Sequence, residues 1–277
     1  MERAVVLGGG GVTGVAWEWG LLAGLARRGV ELAGADLVVG TSAGSVVGAQ
    51  WCAGRGVEEG YAAQLAPPEG EVAARFGVAA VARLVWAGGR GRDAVRARAR
   101  IGAMAVAART GSEAARRAVI EARLPVRRWP ARRLLVTAVD AASGEFVVFD
   151  AGSGVSLVDA VGASCAVPGV WPPVTIGGRR FVDGGVRSAV NADLAAGARR
   201  VVVLAPMTAA FGPMPRLSAQ VAALRAAGAR VVVVSPDRAA RAAIGRNVLD
   251  PARRAAAARA GLAQAASVAG AVAAVWG

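Results

Sequence analysis

The chain of 277 residues contains no histidine and no lysine. Serine hydrolases usually take their general base from histidine, and some take it from lysine. A Ser-His-Asp triad, a Cys-His pair and a Ser-Lys dyad are therefore excluded within this chain. A nucleophilic serine would have to use a carboxylate directly. That carboxylate would need a direct hydrogen bond to the serine and a partly desolvated site to become basic enough.

Cysteine is also scarce, because Cys52 and Cys165 are the only two in the sequence. Two cysteines are too few for a disulfide framework, and neither belongs to a C-x-x-C pair, so the sequence favours a reduced, cytoplasmic setting. Residues 1–7 lack the long apolar core of a secretory signal peptide. The uncharged stretch Ala260–Gly277 is mostly alanine, which favours a buried or docked helix over a membrane span. No ligand set for a transition metal stands out, and we expect no metal and no cofactor.

The charge that is present is basic and unevenly distributed, with a formal net charge of +14. Residues 90–133 hold 13 arginines against Asp93, Glu113 and Glu121. GC-rich coding explains an arginine-rich composition as well as a basic function does, and the cluster can be a solvated helical face. The alternative is peripheral contact with an anionic membrane. Nucleic acid is a less favoured partner, and the sequence does not set an oligomeric state.

Short apolar runs alternate with helical periodicity along most of the chain, which predicts an α/β fold. Strands are predicted at 4–7, 37–39, 134–139, 146–149, 201–204 and 231–234, with a hairpin over 172–185. Helices are predicted at 14–28, 43–53 and near 157–163. The first strand, helix and strand form a β-α-β unit, so the two strands should be parallel. Residues 55–130 are predicted to be helices over or beside the sheet, or a mobile cover, and 1–277 to be one domain.

Residues 40–44 read Gly-Thr-Ser-Ala-Gly and match the G-x-S-x-G pattern. In that pattern the serine occupies a strained corner between a strand and a helix, with its hydroxyl exposed. Glycine at both flanks fits, because a Cβ at Gly40 or Gly44 would clash where the chain doubles back. Ser42 is therefore the candidate nucleophile.

Asp183 is the best candidate for the carboxylate base, because it ends a predicted strand and is followed by Gly184 and Gly185. Two glycines would let substrate and backbone approach closely. The other interpretation of the same residues is an ordinary Asp-Gly turn.

The segment from Gly8 to Gly14 contains G-x-G-x-x-G as Gly9, Gly11 and Gly14. A dinucleotide-binding oxidoreductase is one interpretation, although such a site prefers an acidic residue after the second strand, and Gly40 to Ser42 stand there. The other is an oxyanion site, in which the amides of Gly10 and Gly11 point at charge developing beside Ser42.

Three motifs in this order resemble the patatin-like phospholipase family. They are Gly9-Gly10-Gly11-Val12-Thr13-Gly14, Gly40-Thr41-Ser42-Ala43-Gly44 and Asp183-Gly184-Gly185, supported by Ala163-Ser164-Cys165-Ala166-Val167-Pro168. The resemblance extends from about residue 4 to 205, with the remainder completing the domain. It implies a three-layer α/β/α fold with a mostly parallel sheet and the serine on a nucleophile elbow.

The resemblance also implies hydrolysis of fatty-acyl esters by a Ser-Asp dyad, with lipid as substrate. Carried over by position, Ser42 is the nucleophile, Asp183 the base, and Gly10 and Gly11 the oxyanion donors. The remaining motif glycines belong to the substrate loop or support the turns: Gly9, Gly14, Gly40, Gly44, Gly184 and Gly185. Members commonly carry Arg or Lys where this chain has Thr13. A catalytically silent binder of anionic surfaces remains a further alternative.

Four tryptophans near the motifs could line an acyl pocket, although aromatic residues more often belong to the core. They are Trp17, Trp19, Trp51 and Trp171.

Overall fold

The computed structural model describes residues 1–67, 74, 87–89, 91–210 and 212–277. The strands are β1 (Arg3–Leu7), β2 (Leu37–Gly40), β3 (Arg133–Asp140), β4 (Phe146–Phe149), β5 (Val174–Ile176), β6 (Arg179–Asp183), β7 (Arg200–Leu204) and β8 (Arg230–Val234). The helices are α1 (Gly11–Ala26), α2 (Ala43–Cys52), α3 (Val57–Leu65), α4 (Ala94–Ala107), α5 (Glu113–Arg123), α6 (Leu157–Ser164), α7 (Leu217–Ala226), α8 (Arg238–Ile244) and α9 (Arg254–Trp276).

All eight strands belong to one sheet, whose main order is β5-β6-β3-β2-β1-β7-β8. The five strands from β3 to β8 in that order pair in parallel, with β1 between β2 and β7. Strands β4 and β6 pair antiparallel with β3, and β5 pairs antiparallel with β6. The predicted mostly parallel sheet is confirmed.

Strand β3 has three partners, and its register explains how. Val136 pairs with both β2 and β4, whereas Ala138 pairs with both β4 and β6. Because a strand has only two edges, β2 and β6 must share one edge of β3, with β4 on the other. The carboxyl end of β2 and that of β6 therefore meet head-on opposite Thr137.

Helices cover both faces of the sheet, as the alternation along β1 requires. Val5 and Leu7 face a core built with α1, α2, α6 and α9. Ala4 and Val6 face the opposite core, which contains α7 and the segment 190–198. The sheet therefore lies between two helical layers, and the predicted three-layer arrangement is confirmed.

Helices α1 and α9 pack closely along their length. A Cβ at Gly20 would overlap the Ala258 carbonyl, and one at Gly261 would overlap the Trp17 carbonyl. Within the described residues, one helical stretch, Pro251–Trp276, is long and apolar enough to cross a membrane by length and composition. A helix packed against another helix of the same domain, as this one is packed against α1, can also have this length and apolar composition.

The helical prediction for 55–130 agrees with α3, α4 and α5, which are the elements described there. Residues 68–73, 75–86 and 90 lie outside the described residues, so the expectation of a mobile cover is not addressed. Helix α1 begins at Gly11 rather than at the predicted Gly14. The glycines there were assigned to the loop, yet Gly14 donates its amide to the Gly10 carbonyl and closes the first turn.

Candidate active site

Ser42 lies in the sharp turn between β2 and α2, with φ 51° and ψ −113°. A positive φ is costly for a residue with a side chain, on the order of 1–3 kcal/mol, and persists only where the surroundings impose it. Here the Cβ that Gly44 lacks would overlap the Leu7 carbonyl, and a Cβ at Gly40 would lie 2.6 Å from the Ser45 Cα. Because the flanking glycines have no Cβ, α2 can pack directly against the sheet.

Two residues at the carboxyl end of α6, Ser164 and Cys165, hold this turn in place by hydrogen bonds. The Ser42 amide donates to Ser164 Oγ at 2.9 Å, and the Cys165 thiol donates to the Ser42 carbonyl at 3.3 Å. Burial raises the pKa of the Cys165 thiol, so the thiol remains protonated and able to donate. No motif in the sequence assigned this contact to Cys165.

Asp183 ends β6 and faces Ser42 across the junction of β2 and β6. Its Oδ1 accepts the Gly185 amide at 2.7 Å. A Cβ at Gly184 would overlap Thr137 of β3, which explains the glycine after the aspartate. The Ser42 side chain lies close enough to the Asp183 carboxyl to lower its pKa. The structure therefore brings the two predicted catalytic residues together, although they are distant in sequence.

Burial is the main cause of the electrostatic state of Asp183, which is 5% exposed. Burial raises the pKa of Asp183 from an ordinary 3.8 to about 6. The neighbouring Ser42 side chain, the hydrogen bond from the Gly185 amide and the charge of Arg116 lower the pKa of Asp183 and oppose that rise. The carboxylate is therefore a stronger base than a solvent-exposed aspartate, while still ionised at neutral pH.

The glycine loop joins β1 to α1 and approaches Ser42 closely, since a Cβ at Gly9 would lie 3.5 Å from the Ser42 Cβ. The Gly9 amide donates to the Ala189 carbonyl at 2.7 Å and holds the loop. Among the described residues, none accepts the amides of Gly10 or Gly11, which open α1. Both residues line the cavity that contains Ser42 and Asp183. Gly14 instead packs near Ala43.

Thr13 is buried, and both its amide and its hydroxyl donate to the Val248 carbonyl, each at 3.2 Å. It therefore ties α1 to the segment before α9. The positive charge that acts on Asp183 comes from Arg116 of α5 instead.

Ser42 stands where two cavities of different character meet. The first holds about 150 Å³ and is lined mainly by backbone and apolar groups besides the two candidate catalytic residues. Its apolar side chains include Ile101, Val167, Val186, Met207 and Leu249. The second, on the α5 side, is lined by Arg116, Arg123 and Trp171 as well as Ser42. Of the four tryptophans considered, Trp17, Trp19 and Trp51 belong to the core, and Trp171 reaches a cavity.

A buried asparagine, Asn191, links the turn at Ser42 to the turn at Asp183. No motif in the sequence pointed to this residue. Asn191 has φ 53°, and its Nδ2 donates to Thr41 Oγ1 at 3.0 Å and to the Ser188 carbonyl at 2.8 Å. The same amide lies 3.4 Å from the Gly184 carbonyl. Thr137 Oγ1 donates to Thr41 Oγ1 at 3.0 Å and completes the network. The residues next to Ser42 and next to Asp183 thus share one side-chain amide.

Comparison with known proteins identifies a matching family and several matching solved structures. The model of the family described as patatin-like phospholipase matches residues 5–196. A search of curated proteins found no match. The chain is 14% identical to VipD from Legionella pneumophila, with a TM-score of 0.51 over 98% of this chain and 67% of VipD. It is 16% identical to the type III effector protein ExoU, with a TM-score of 0.40 over 96% of this chain and 53% of ExoU.

Proposed function

This chain belongs to the patatin-like phospholipase family, and on that premise we propose that it is a serine lipid acyl hydrolase with Ser42 as nucleophile and Asp183 as base. Membership implies hydrolysis of lipid esters. One observation carries the finer assignment: the Ser42 side chain lies beside a buried carboxyl, that of Asp183, whose pKa is about 6. No histidine or lysine exists in the chain to compete for that role.

In the first half-reaction, Asp183 accepts the Ser42 proton as the Ser42 oxygen attacks the ester carbonyl carbon. The carbonyl oxygen becomes an oxyanion, which the amides of Gly10 and Gly11 stabilise as hydrogen-bond donors. Collapse of this intermediate breaks the bond to the alcohol. The protonated Asp183 returns its proton to the departing alkoxide, leaving an acyl group on Ser42.

In the second half-reaction, Asp183 takes a proton from water, and the resulting hydroxide attacks the acyl-enzyme. The tetrahedral intermediate uses the same two amides and expels Ser42, which regains a proton from Asp183. The products are one fatty acid and the original enzyme. The apolar cavity beside Gly10 and Asp183 suits the acyl chain, because transfer of apolar surface out of water drives its binding.

The proposal is tested by ester turnover and by active-site labelling. Wild-type protein should hydrolyse a p-nitrophenyl or phospholipid ester and react with a fluorophosphonate probe at the peptide containing Ser42. Ser42→Ala should abolish labelling, and Asp183→Asn should lower kcat by ~10³-fold. Ser218→Ala, on the exposed side of α7, provides a matched control that keeps full activity.

Turnover that survives Ser42→Ala would overturn the assignment. Saturable binding of NAD(P)H by a protein without esterase activity would instead favour the oxidoreductase interpretation of the glycine loop. Salt-sensitive binding to anionic vesicles by a protein unreactive to the probe would favour a silent binder.

A further inference from the structure

A cavity of about 290 Å³ lies at the edge of the sheet opposite to Ser42. It is bordered by the end of α1, the turn before β2, the end of α2 and Arg132, which precedes β3. Ser42 follows the carboxyl end of β2, whereas Trp51, which lines this cavity, lies nine residues further along α2, roughly 13 Å away. No described residue lines both this cavity and either cavity at Ser42. The cavity is therefore separate from the candidate active site.

The inner wall of this cavity is apolar. Leu22, Leu32 and Trp51 belong to the buried core, and Val57 packs against it. Ala33 is exposed, so the cavity opens to solvent beside it. Small-molecule sites usually hold roughly 300–1,000 Å³, and this cavity lies at the lower end of that range. Its size and wall therefore suit a ligand with a short apolar body.

Arg132 supplies a positive charge at this cavity. Its guanidinium lies over the Trp51 ring, 5.4 Å from the centroid, and its Nη1 is buried without a hydrogen-bond partner among the described residues. Cys52 lies close to Arg132, but burial raises the pKa of the Cys52 thiol to about 12, so the thiol stays neutral. A buried donor without an acceptor is unfavourable, and an anion in the cavity would supply one.

Two other charged residues line the cavity. Arg55 pairs with Glu59 at 3.1 Å, which engages its charge. Glu31 is exposed and is the one acidic side chain among the described lining residues. An anionic ligand would therefore be attracted mainly by Arg132 and opposed by Glu31 at the solvent side.

From these contacts we propose that the cavity is a second binding site, which takes a small amphipathic carboxylate such as a medium-chain fatty acid. Arg132 holds the carboxylate, because a planar guanidinium matches the two oxygens of that group. The ring of Trp51 supports the guanidinium, and the apolar wall holds the hydrocarbon chain. Binding there requires no turnover, so the site is independent of the proposed function.

The experiment compares octanoate with 1-octanol, which has the same hydrocarbon chain without the charge. Isothermal titration of the full chain, with both ligands below their aggregation limits, should give a Kd at least about tenfold lower for octanoate. Arg132→Gln should weaken octanoate binding by about tenfold or more and leave octanol binding little changed, as loss of a charge-assisted hydrogen bond predicts. Arg133→Gln is the matched control, because it removes the neighbouring exposed charge, which does not line the cavity. It should leave both Kd values unchanged.

Two further variants test the site without altering Arg132. Glu31→Gln removes the opposing charge, so it should tighten octanoate binding severalfold and leave octanol binding unchanged. Ala33→Trp places a large side chain at the opening and should abolish binding of both ligands.

Absence of octanoate binding, or equal affinity of the wild type for the two ligands, would overturn the proposal. Equal weakening of both ligands by Arg132→Gln would mean that Arg132 shapes the cavity without recognising the carboxylate, and would overturn it as well. Octanoate binding that survives both Arg132→Gln and Ala33→Trp would lie elsewhere, for example in the apolar cavity beside Asp183, with the same consequence. A protein without esterase activity that binds octanoate through Arg132 would contradict the proposed function and support this site.

Discussion

At the scale of single residues, the role proposed for Asp183 requires a carboxylate that is ionised at rest and basic enough to take a proton from a hydroxyl. Burial raises the pKa of Asp183 to about 6, and Arg116 acts in the opposite direction. A base of this strength is nearly fully ionised at neutral pH and is better matched to proton transfer than an ordinary aspartate. Because the chain has no histidine, a carboxylate base must be buried to have a raised pKa. The junction of β2 and β6 provides that burial for Asp183.

The first prediction is a pH–rate profile with one acid limb. Because Asp183 must be ionised to accept the Ser42 proton, kcat/KM for an uncharged ester should rise with pH to a midpoint near 6 and then level off. Arg116→Gln removes a charge that lowers the pKa of Asp183, so its midpoint should move to higher pH. Arg117→Gln should leave the midpoint in place. A profile flat between about pH 4 and 8 would exclude Asp183 as the base.

The same pKa predicts that the ionised Asp183 carboxylate destabilises the fold. The pKa of Asp183 is higher folded, at about 6, than the ordinary 3.8 expected when unfolded. The folded state therefore binds this proton more tightly, and stability from this group falls as pH rises between those values. At pH 8 the loss amounts to about 3 kcal/mol at most. It vanishes at low pH, where both states are protonated.

Asp183→Asn should therefore increase the free energy of unfolding at pH 8 even though it lowers kcat by ~10³-fold, and the increase should shrink near pH 4. Urea denaturation at the two pH values measures it. Asp150→Asn, in a surface turn, is the control and should show no comparable pH-dependent gain. A variant less stable than the wild type at pH 8 would contradict the desolvation argument.

At the scale of secondary-structure elements, the site depends on how two turns are aligned across β3. Strands β2 and β6 bring Ser42 and Asp183 together from opposite directions, and no hydrogen-bonded ladder between these strands is recorded in the described residues. Asn191 connects the two ends by donating to Thr41 Oγ1 and lying 3.4 Å from the Gly184 carbonyl. It touches neither reacting atom, so we consider it a positioning residue.

Asn191→Asp tests this role with little change of shape. The variant keeps an acceptor for Arg187, which donates to Asn191 Oδ1 at 2.7 Å, but loses both Nδ2 donors. Since misalignment affects the reaction more than binding, kcat should fall by about tenfold to a hundredfold with KM little changed. Asp193→Asn, which alters the other partner of Arg187, should retain kcat. A change in KM alone, or equal losses in both variants, would argue for a purely structural role.

Local signals predicted the elements that carry the motifs. Apolar runs marked the strands, and G-x-S-x-G marked the turn at Ser42, because both depend on neighbouring residues. Asn191 and Arg116 could not be found this way, since their partners are far away along the chain. Asn191 meets Thr41 across 150 positions. Its positive φ leaves no sequence signature beyond the tolerance of asparagine for that conformation.

The tryptophans also show that sequence position alone does not predict which residues lie at the site. Trp17 and Trp19 stand beside the glycine loop in sequence, yet both are fully buried in the core. Trp171, from a distant loop, is the one that lines a cavity together with Ser42. Proximity to a motif along the chain did not predict proximity in space, because Trp17 and Trp19 of α1 are packed in the core.

At the scale of the whole molecule, the net charge of +14 could attract an anionic membrane in two ways. Either all exposed arginines contribute equally, or those of one surface contribute most. The segment 90–133 contributes helices α4 and α5, and Arg116 and Arg123 of α5 line a cavity at Ser42. Several arginines of this segment are buried or engaged, including Arg98, which donates to the Gly144 carbonyl. Others, such as Arg92, Arg96 and Arg109, are exposed. Those exposed residues would meet an anionic membrane first.

The last prediction distinguishes the two possibilities by removing the same amount of positive charge from two different parts of the surface. Replacing Arg92, Arg96 and Arg109 with glutamine should weaken binding to phosphatidylglycerol-containing vesicles by about tenfold or more, because each basic residue near such a surface contributes about 1 kcal/mol. Replacing the exposed Arg199, Arg238 and Arg259 removes an equal charge elsewhere and should weaken binding far less. Vesicle co-sedimentation at low and physiological salt measures both, and wild-type binding should fall as salt screens the charges. Equal weakening by the two triple variants would mean that net charge alone drives association and that the segment 90–133 does not orient the enzyme on its substrate.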